Sequence, residues 1–445
     1  MLSFSRRKSI KLISGALGVP FLSPCAPQPE VLRFGVIGCG DLGDKLINGF
    51  IGLDKRIVIH AVCDIWERRL CVAVATAKSI SKSDPRSYVD YAEMLQQESK
   101  NLDAVVIASP DHFHEEHAVA CLKAGLHVFC ASPLAHSSSS ARRIAAVAKQ
   151  QSSAVLYVPL SLEVDAFLEY VKKEIIEREH LFGELLAIDS ELYILPPKRN
   201  VIPSKRITVP SSERLAKYGY QSLEEYFNWR VTRRFGLDFG IRLFIQRQAS
   251  VIRYFLGRNP VSLSASRSII SNQNEDIRSL CVTLEYASTG GTLQCTARYF
   301  PFLNESPYLI RIMGEYGLAS WSLPDRYVQQ VSMIDRTEQR GIILDKWKDV
   351  YKRGVLGEAA EQRKQIDGYI PPPFGRDHDG KFYLPIEPPY HRFDYHLKCF
   401  INAVFEKSIA QGDVQDYVDP IILAEHIEQA IVTGKKMTFD SHSFA

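Results

Sequence analysis

The run Gly38-Cys39-Gly40-Asp41-Leu42-Gly43 constrains this chain more than any other stretch, because of what flanks it. Before it lies an apolar segment, Leu32–Ile37, and after it Leu42, Leu46, Ile47 and Phe50 recur at helical spacing. A glycine triplet between a strand and a helix is the signature of a dinucleotide site. The first glycine makes a tight turn, the second lets backbone approach a pyrophosphate, and the third lets helix pack on strand. The helix N-terminus then faces the phosphate charge. An acid, Asp64, ends the next apolar segment about twenty residues past Gly43, where a carboxylate accepts ribose hydroxyls and repels a 2′-phosphate. Gly38, Gly40, Asp41, Leu42, Gly43 and Asp64 are therefore the expected cofactor contacts, with NAD as the expected cofactor. Arg68 and Arg69 beside the acid keep NADP in view.

The surrounding pattern fits an α/β chain. Apolar runs at Leu32–Ile37, Val58–Cys63, Ala104–Ala108, His127–Cys130 and Val155–Val158 alternate with helical segments, which predicts a parallel sheet with crossover helices. One such helix runs from Glu115 to a stop at Gly125, and another follows the serines Ser137–Ser140, which supply N-caps. From Gly183 the period changes to two. In Gly291–Tyr299, Leu293, Cys295, Ala297 and Tyr299 share one face, while Thr292, Gln294, Thr296 and Arg298 share the other. Leu280–Tyr286 alternates likewise, predicting an antiparallel sheet with one face packed and one open. Prolines at 196–197, 371–373 and 388–389 mark loops, and helical patterns return at Phe393–Phe405 and Pro420–Val432. The expected architecture is an N-terminal Rossmann parallel sheet over 31–157, then a C-terminal α+β domain over 158–445 with a mostly antiparallel, open-faced sheet. That open face is an expected homo-oligomer surface.

Residues 1–30 read differently. Arg6, Arg7, Lys8 and Lys11 precede a short apolar run from Leu12 to Leu22, the layout of a signal peptide with a twin-arginine flavour. Leu22-Ser23-Pro24-Cys25 loosely matches a lipoprotein box, so Cys25 is the candidate lipid anchor. The chain is expected outside the cytoplasm, as a periplasmic or membrane-anchored protein. A cytoplasmic protein with a basic tail is the alternative. Without those four charges the remainder of this +3 chain is near neutral, so no nucleic-acid partner is expected. Nine cysteines without a C-x-x-C pair argue against both a disulfide framework and a zinc site. His112, His114, His117, Glu115 and Glu116 match no metal spacing, so no metal is expected.

Several segments together resemble the glucose–fructose oxidoreductase/inositol dehydrogenase (Gfo/Idh/MocA) family, especially its exported members. Ala108-Ser109-Pro110-Asp111-His112-Phe113-His114 resembles the loop after the family's fourth strand, and Ala124–Cys130 the approach to its Glu-Lys-Pro motif. Asn228-Trp229-Arg230, Tyr254-Phe255-Leu256-Gly257 and Gly314-Glu315-Tyr316-Gly317 follow in the family's order. The resemblance implies cofactor contacts at Ser109, Pro110 and His114, with His114 near the nicotinamide, and a carbohydrate-like small-molecule substrate.

The departures fall in the catalytic motifs. Ala131-Ser132-Pro133 stands where the family has Glu-Lys-Pro, and Ser132 is a poor acid or base. The catalytic helix reads Gln246-Arg247-Gln248-Ala249-Ser250, or Asp238–Arg242 in the alternative alignment, and no histidine occurs between His180 and His378. Arg247 stays protonated and cannot act as a base. His114, Ser132 and Arg247 are the catalytic candidates that can be named, with a tyrosine not identified from sequence as the alternative. Arg233, Arg234, Arg242 and Arg247 read singly as a solvated helix face, with an anionic pocket as the alternative. Trp229 and Tyr254 read as core. The expectation is a nucleotide-binding protein that has lost ordinary dehydrogenase chemistry. The alternative is a rewired NAD-dependent oxidoreductase or NAD-dependent glycoside hydrolase acting on a carbohydrate.

Overall fold

In the computed structural model the described residues are, in the main, 31–159, 171–193, 207–229, 239–269, 277–288, 291–300, 308–323, 330–333, 392–406 and 414–444. The leader with Cys25, the three proline stretches and the side chains of Arg233, Arg234 and Arg242 lie outside them.

The first sheet joins β1 (Leu32–Ile37), β2 (Ile57–Cys63), β3 (Arg86–Tyr88), β4 (Ala104–Ile107), β5 (His127–Cys130) and β6 (Leu156–Tyr157) in the order β3-β2-β1-β4-β5-β6. All pairings are parallel. Crossover helices α1 (Asp41–Leu53), α2 (Glu67–Ser81), α3 (Tyr91–Glu98), α4 (His114–Lys123) and α5 (Ser138–Gln150) cover its two faces. Burial on both faces explains the unbroken apolar runs: all four residues of β4 are buried. The cap of α5 is as expected, Ser137 Oγ accepting the Ser140 N–H, and Gly125 after α4 has φ +77°. The short β3 has no counterpart among the expected strands, since three residues with one buried side chain carry no periodic signal.

Register sets up the site. Cys63, Ile37, Ile107 and Cys130 lie in one row across four strands, with Tyr88 beyond Cys63. The loops after β1, β2, β3, β4 and β5 therefore all start from one line at the carboxyl edge. The strand order reverses between β1 and β4, which opens a crevice there.

The second sheet is eight-stranded. It comprises β7 (Leu185–Tyr193), β8 (Ser262–Ile269), β9 (Ile277–Ser288), β10 (Gly291–Phe300), β11 (Tyr308–Gly314), β12 (Gly317–Leu323), β13 (Gln330–Met333) and β16 (Met437–Thr438), in the order β13-β12-β11-β7-β10-β9-β8-β16. Two short strands, β14 (Gly375–Arg376) and β15 (Phe382–Tyr383), pair separately. Every pairing in the large sheet is antiparallel except β7 with β10. Leu293, Cys295, Ala297 and Tyr299 are buried, as the alternation requires. The opposite face carries polar ladders, including Arg298 Nη1 to Glu191 at 2.9 Å and Thr296 to Asp189.

Between β7 and β8 lie α6 (Ser212–Lys217), α7 (Leu223–Phe227) and α8 (Phe239–Leu256), and the chain ends with α9 (Arg392–Glu406) and α10 (Gln415–Thr433). Helix α10 starts one turn before the expected Pro420, anchored by Arg253 to Asp416 and Asp419 at 3.1 and 2.9 Å. Helix α9 returns to the first sheet. Its fully buried Phe400 sits 5.5–6.0 Å from Phe34, Phe50 and Phe129, and His396 Nδ1 lies 2.8 Å from the Tyr157 hydroxyl. The amino-terminal nucleotide fold is thus completed by a helix from the far end of the sequence.

Candidate functional site

The crevice is a cavity of about 430 Å³ above the row Cys63–Ile37–Ile107–Cys130. Its floor is the glycine loop. Gly38 takes φ +92°, and a Cβ there would stand 2.5 Å from the Ser109 nitrogen. A Cβ at Gly43 would fall 2.0 Å from the Gly38 carbonyl oxygen. Both glycines are therefore demanded by packing. Gly40 is different: a Cβ there would meet only the Arg69 guanidinium, at 3.5 Å, so its bareness faces the cavity. It is also the N-cap of α1 and has no side-chain cap, which leaves first-turn N–H groups for an anion. This is the cradle a pyrophosphate requires. The residues present fit a dinucleotide.

Asp64 closes one end, 7% exposed. Its Oδ2 accepts the Cys39 N–H at 2.8 Å and its Oδ1 the Trp66 N–H at 2.9 Å, which leaves lone pairs for ribose hydroxyls. Burial raises its pKa, while Arg69 and those two N–H groups oppose the rise. Arg69 Nη1 stands 3.9 Å from Asp64 Oδ2, between the Trp66 ring at 5.2 Å and the Tyr226 ring at 5.8 Å.

Gly38, Gly40, Asp41, Leu42, Asp64, Ser109, Pro110, His114 and Ser132 all line the cavity; Gly43 lies beneath, against Gly38. His114 does so with no nitrogen to spare. Nδ1 lies 2.8 Å from the Pro133 carbonyl and Nε2 2.8 Å from the Ser109 carbonyl. Both partners are acceptors, so the neutral ring donates to one carbonyl and turns its lone pair toward the other. Burial lowers its pKa, disfavouring the doubly protonated form that would satisfy both. His114, a candidate from sequence, thus lines the cavity with both nitrogens facing carbonyl oxygens. His117 instead pairs its Nδ1 with Ser109 Oγ at 2.9 Å, and burial with neighbouring histidines pushes its pKa down to about 3. It is a neutral ring holding a serine hydroxyl. Glu115 pairs with Arg143, and among the described residues no three metal-ligating side chains converge.

Arg247 is half-buried on α8 and is not among the lining residues, nor are Gln248, Ala249 or Ser250, all buried. Gln248 Nε2 reaches the Arg298 carbonyl at 3.3 Å, toward the second sheet. Arg247 is therefore not a residue of this cavity. Trp229 packs against a buried aromatic cluster, as expected of core, and also lines the cavity together with Tyr218, Tyr220, Tyr226 and Phe227. These aromatic residues escaped the sequence reading because they follow no period. Tyr254 lies elsewhere, with Lys172 Nζ 4.7 Å from its ring.

A parallel sheet with a glycine cradle and a buried acid after β2, followed by a mostly antiparallel domain, has the architecture of the NAD-binding Rossmann class with a second, open-sheet domain. Residues 32–158 match the model of the oxidoreductase family with the NAD-binding Rossmann fold, GFO_IDH_MocA, so the likeness to the Gfo/Idh/MocA family is carried by this domain. Inositol 2-dehydrogenase 2 of Saccharopolyspora erythraea is 39% identical over 114 residues, 25% of this chain and 31% of that protein. A glycosyl hydrolase family 109 protein of Streptomyces coelicolor is 36% identical over 123 residues, 27% of this chain and 24% of that protein. The chain thus matches less than a third of the length of these relatives. Levoglucosan dehydrogenase, solved in complex with NADH and L-sorbose, superposes with a TM-score of 0.63 at 13% identity, covering 92% of this chain and 99% of that one. At that identity the likeness concerns the fold.

Proposed function

We propose that this protein binds NAD(H) together with a carbohydrate-like small molecule and does not carry out hydride transfer at rates usual for its family. One observation supports the reading: the glycine loop and Asp64 line the cavity, while Ser132 and a His114 facing two carbonyls stand where the resemblance implies proton-handling groups. Nicotinamide supplies the hydride acceptor when bound, but the protein must take the hydroxyl proton. A serine hydroxyl beside a buried ring whose nitrogens both face carbonyl oxygens does not do so. The sugar-like ligand is supported by the solved relative with L-sorbose and the inositol dehydrogenase similarity.

Calorimetry is the direct test. NAD(H) is expected to bind more tightly than NADP(H), since the Asp64 carboxylate repels a 2′-phosphate. Because burial raises the Asp64 pKa, its protonation begins at milder acidity than for a free aspartate, and affinity should fall as pH drops toward that value. Preference for NADP, or affinity that is flat with falling pH, would remove Asp64 from recognition. Binding of neither nucleotide ends the proposal.

A second reading has its own observation. Ser109 and His117 form a hydroxyl–imidazole pair, 2.9 Å apart, with Ser109 Oγ on the cavity wall, and one relative is a glycosyl hydrolase family 109 protein. A rewired oxidoreductase or NAD-dependent glycoside hydrolase would route its proton there. We further propose, from residues 1–30 and the polar open face, an exported protein that pairs through its second sheet. Fractionation of untouched cells that finds the full-length chain in the cytosol contradicts the export proposal.

A further inference from the structure

We propose that residues 207–229, contributed by the second domain, form a fixed roof over the adenosine half of the cavity. Tyr226 and Arg69 grip the purine end, so the nucleotide is a resident, slowly exchanging ligand. This rests on the proposed binding of NAD(H) in the cleft.

Asp64 marks the adenosine ribose, and the roof closes over that end. It is fastened to three successive loops of the first sheet. On the β2–α2 loop, Trp66 Nε1 donates to the Thr208 carbonyl at 2.6 Å, Arg214 Nη1 donates to the Ile65 carbonyl at 3.1 Å, and Arg214 pairs with Glu67. On the β3–α3 loop, the Tyr218 hydroxyl donates to the Val89 carbonyl at 3.1 Å and Lys217 pairs with Asp90. On the β4–α4 loop, the Tyr220 hydroxyl and His112 Nε2 lie 3.3 Å apart. Beneath these contacts Trp66, Leu215, Tyr220 and Tyr226 form an apolar cluster of their own, each less than 9% exposed, with Phe227 edge-on to Trp66 at 5.4 Å. A segment with its own buried core opens only when that core comes apart, unlike a loop that swings on a hinge.

The inner surface suits a flat heteroaromatic ring carrying phosphate. Tyr226 and Phe227 line the cavity, and an aromatic face stacks on any base. Arg69 Nη1 donates to the Tyr226 hydroxyl at 3.2 Å, and its guanidinium also stands over Gly40 at the pyrophosphate cradle. One cation thus connects the roof to the site of negative charge. The wall and floor come from residues more than a hundred positions apart, so ligand release requires the two domains' contacts to part.

The test follows NADH fluorescence while excess NAD displaces NADH from the full chain. NADH should stay bound through gel filtration. Tyr226→Ala should speed release about tenfold, the usual scale of a lost base–aromatic stack. Tyr226→Phe, which keeps the ring and loses only the Arg69 bond, should fall between the two. Arg214→Ala, outside the apolar cluster, should also speed release, and it keeps the test open if Tyr226→Ala does not fold. Release by the natural protein within the mixing time, or folded Tyr226→Ala and Arg214→Ala variants with unchanged release, overturns the roof alone. Absence of NADH binding by calorimetry overturns the roof and the proposed function together.

Discussion

Gly40→Val is expected to leave the protein folded and abolish nucleotide binding, whereas Gly43→Ala is expected to unfold the nucleotide-binding half. The two glycines lie three residues apart in one motif, yet their surroundings differ in kind. At Gly43 a single added carbon would sit 2.0 Å from the Gly38 carbonyl oxygen, and backbone on both sides cannot yield. Overpacking a rigid site typically costs about 1–3 kcal/mol, and a backbone clash this close belongs at or above the top of that range. At Gly40 the φ of −75° is ordinary for any residue, and the nearest atoms belong to the flexible Arg69 side chain at 3.5 Å. An added Cβ there meets that side chain at ordinary contact distance, and a valine side chain fills the path of the pyrophosphate. Urea unfolding and NADH calorimetry on both variants separate the effects. Normal stability of Gly43→Ala, or NADH affinity within tenfold of the natural chain in Gly40→Val, would contradict this account of the loop.

The second large effect concerns turnover. With a broad panel of sugars, amino sugars and inositols, NADH formation by the natural chain is expected to lie about 10⁴-fold or more below family rates, since each missing acid or base costs about 10²–10⁴. Ser132→Lys restores one such group at the cavity wall and should recover no more than one of those factors. His114→Ala should change stability rather than rate, because the buried ring fills the space between the Ser109 and Pro133 carbonyls and donates to one of them. Robust turnover by the natural sequence would overturn the proposed loss of catalysis. If Ser109→Ala or His117→Gln then abolished it, the hydroxyl–imidazole pair would be the rewired base. If His114→Ala abolished it in a folded protein, the structural reading of His114 would fall as well.

Much of the nucleotide site was legible because its parts are local. A strand, a tight glycine turn and a helix start follow one another within a few residues, and Asp64 ends the very next strand. The alternation in Gly291–Tyr299 likewise announced a packed and an open face. Where sequence reasoning went astray, the deciding contact was remote or geometric. A histidine in the β4 loop reads as a candidate base until both of its nitrogens are seen against carbonyl oxygens. Arg247 reads as a site residue until α8 is seen to carry its neighbours toward the second sheet. Trp229 reads as core and packs against a buried cluster, but only the structure shows that it also lines the cavity.

By itself, then, the sequence determined the glycine loop, the parallel sheet that carries it, and a serine, Ser132, where the resemblance implies a lysine, since periodicity, glycine sterics and residue identity are properties of neighbouring positions. Only the tertiary structure decided what encloses the ligand. The β2 loop meets the roof between residues 142 and 157 positions apart, and α9 reaches the first sheet from still farther, Tyr157 and His396 being 239 positions apart. Contacts at such separation leave no period in the chain. They exist because burying Trp66, Tyr220, Tyr226 and Phe400 removes apolar surface from water, a force that is blind to sequence distance.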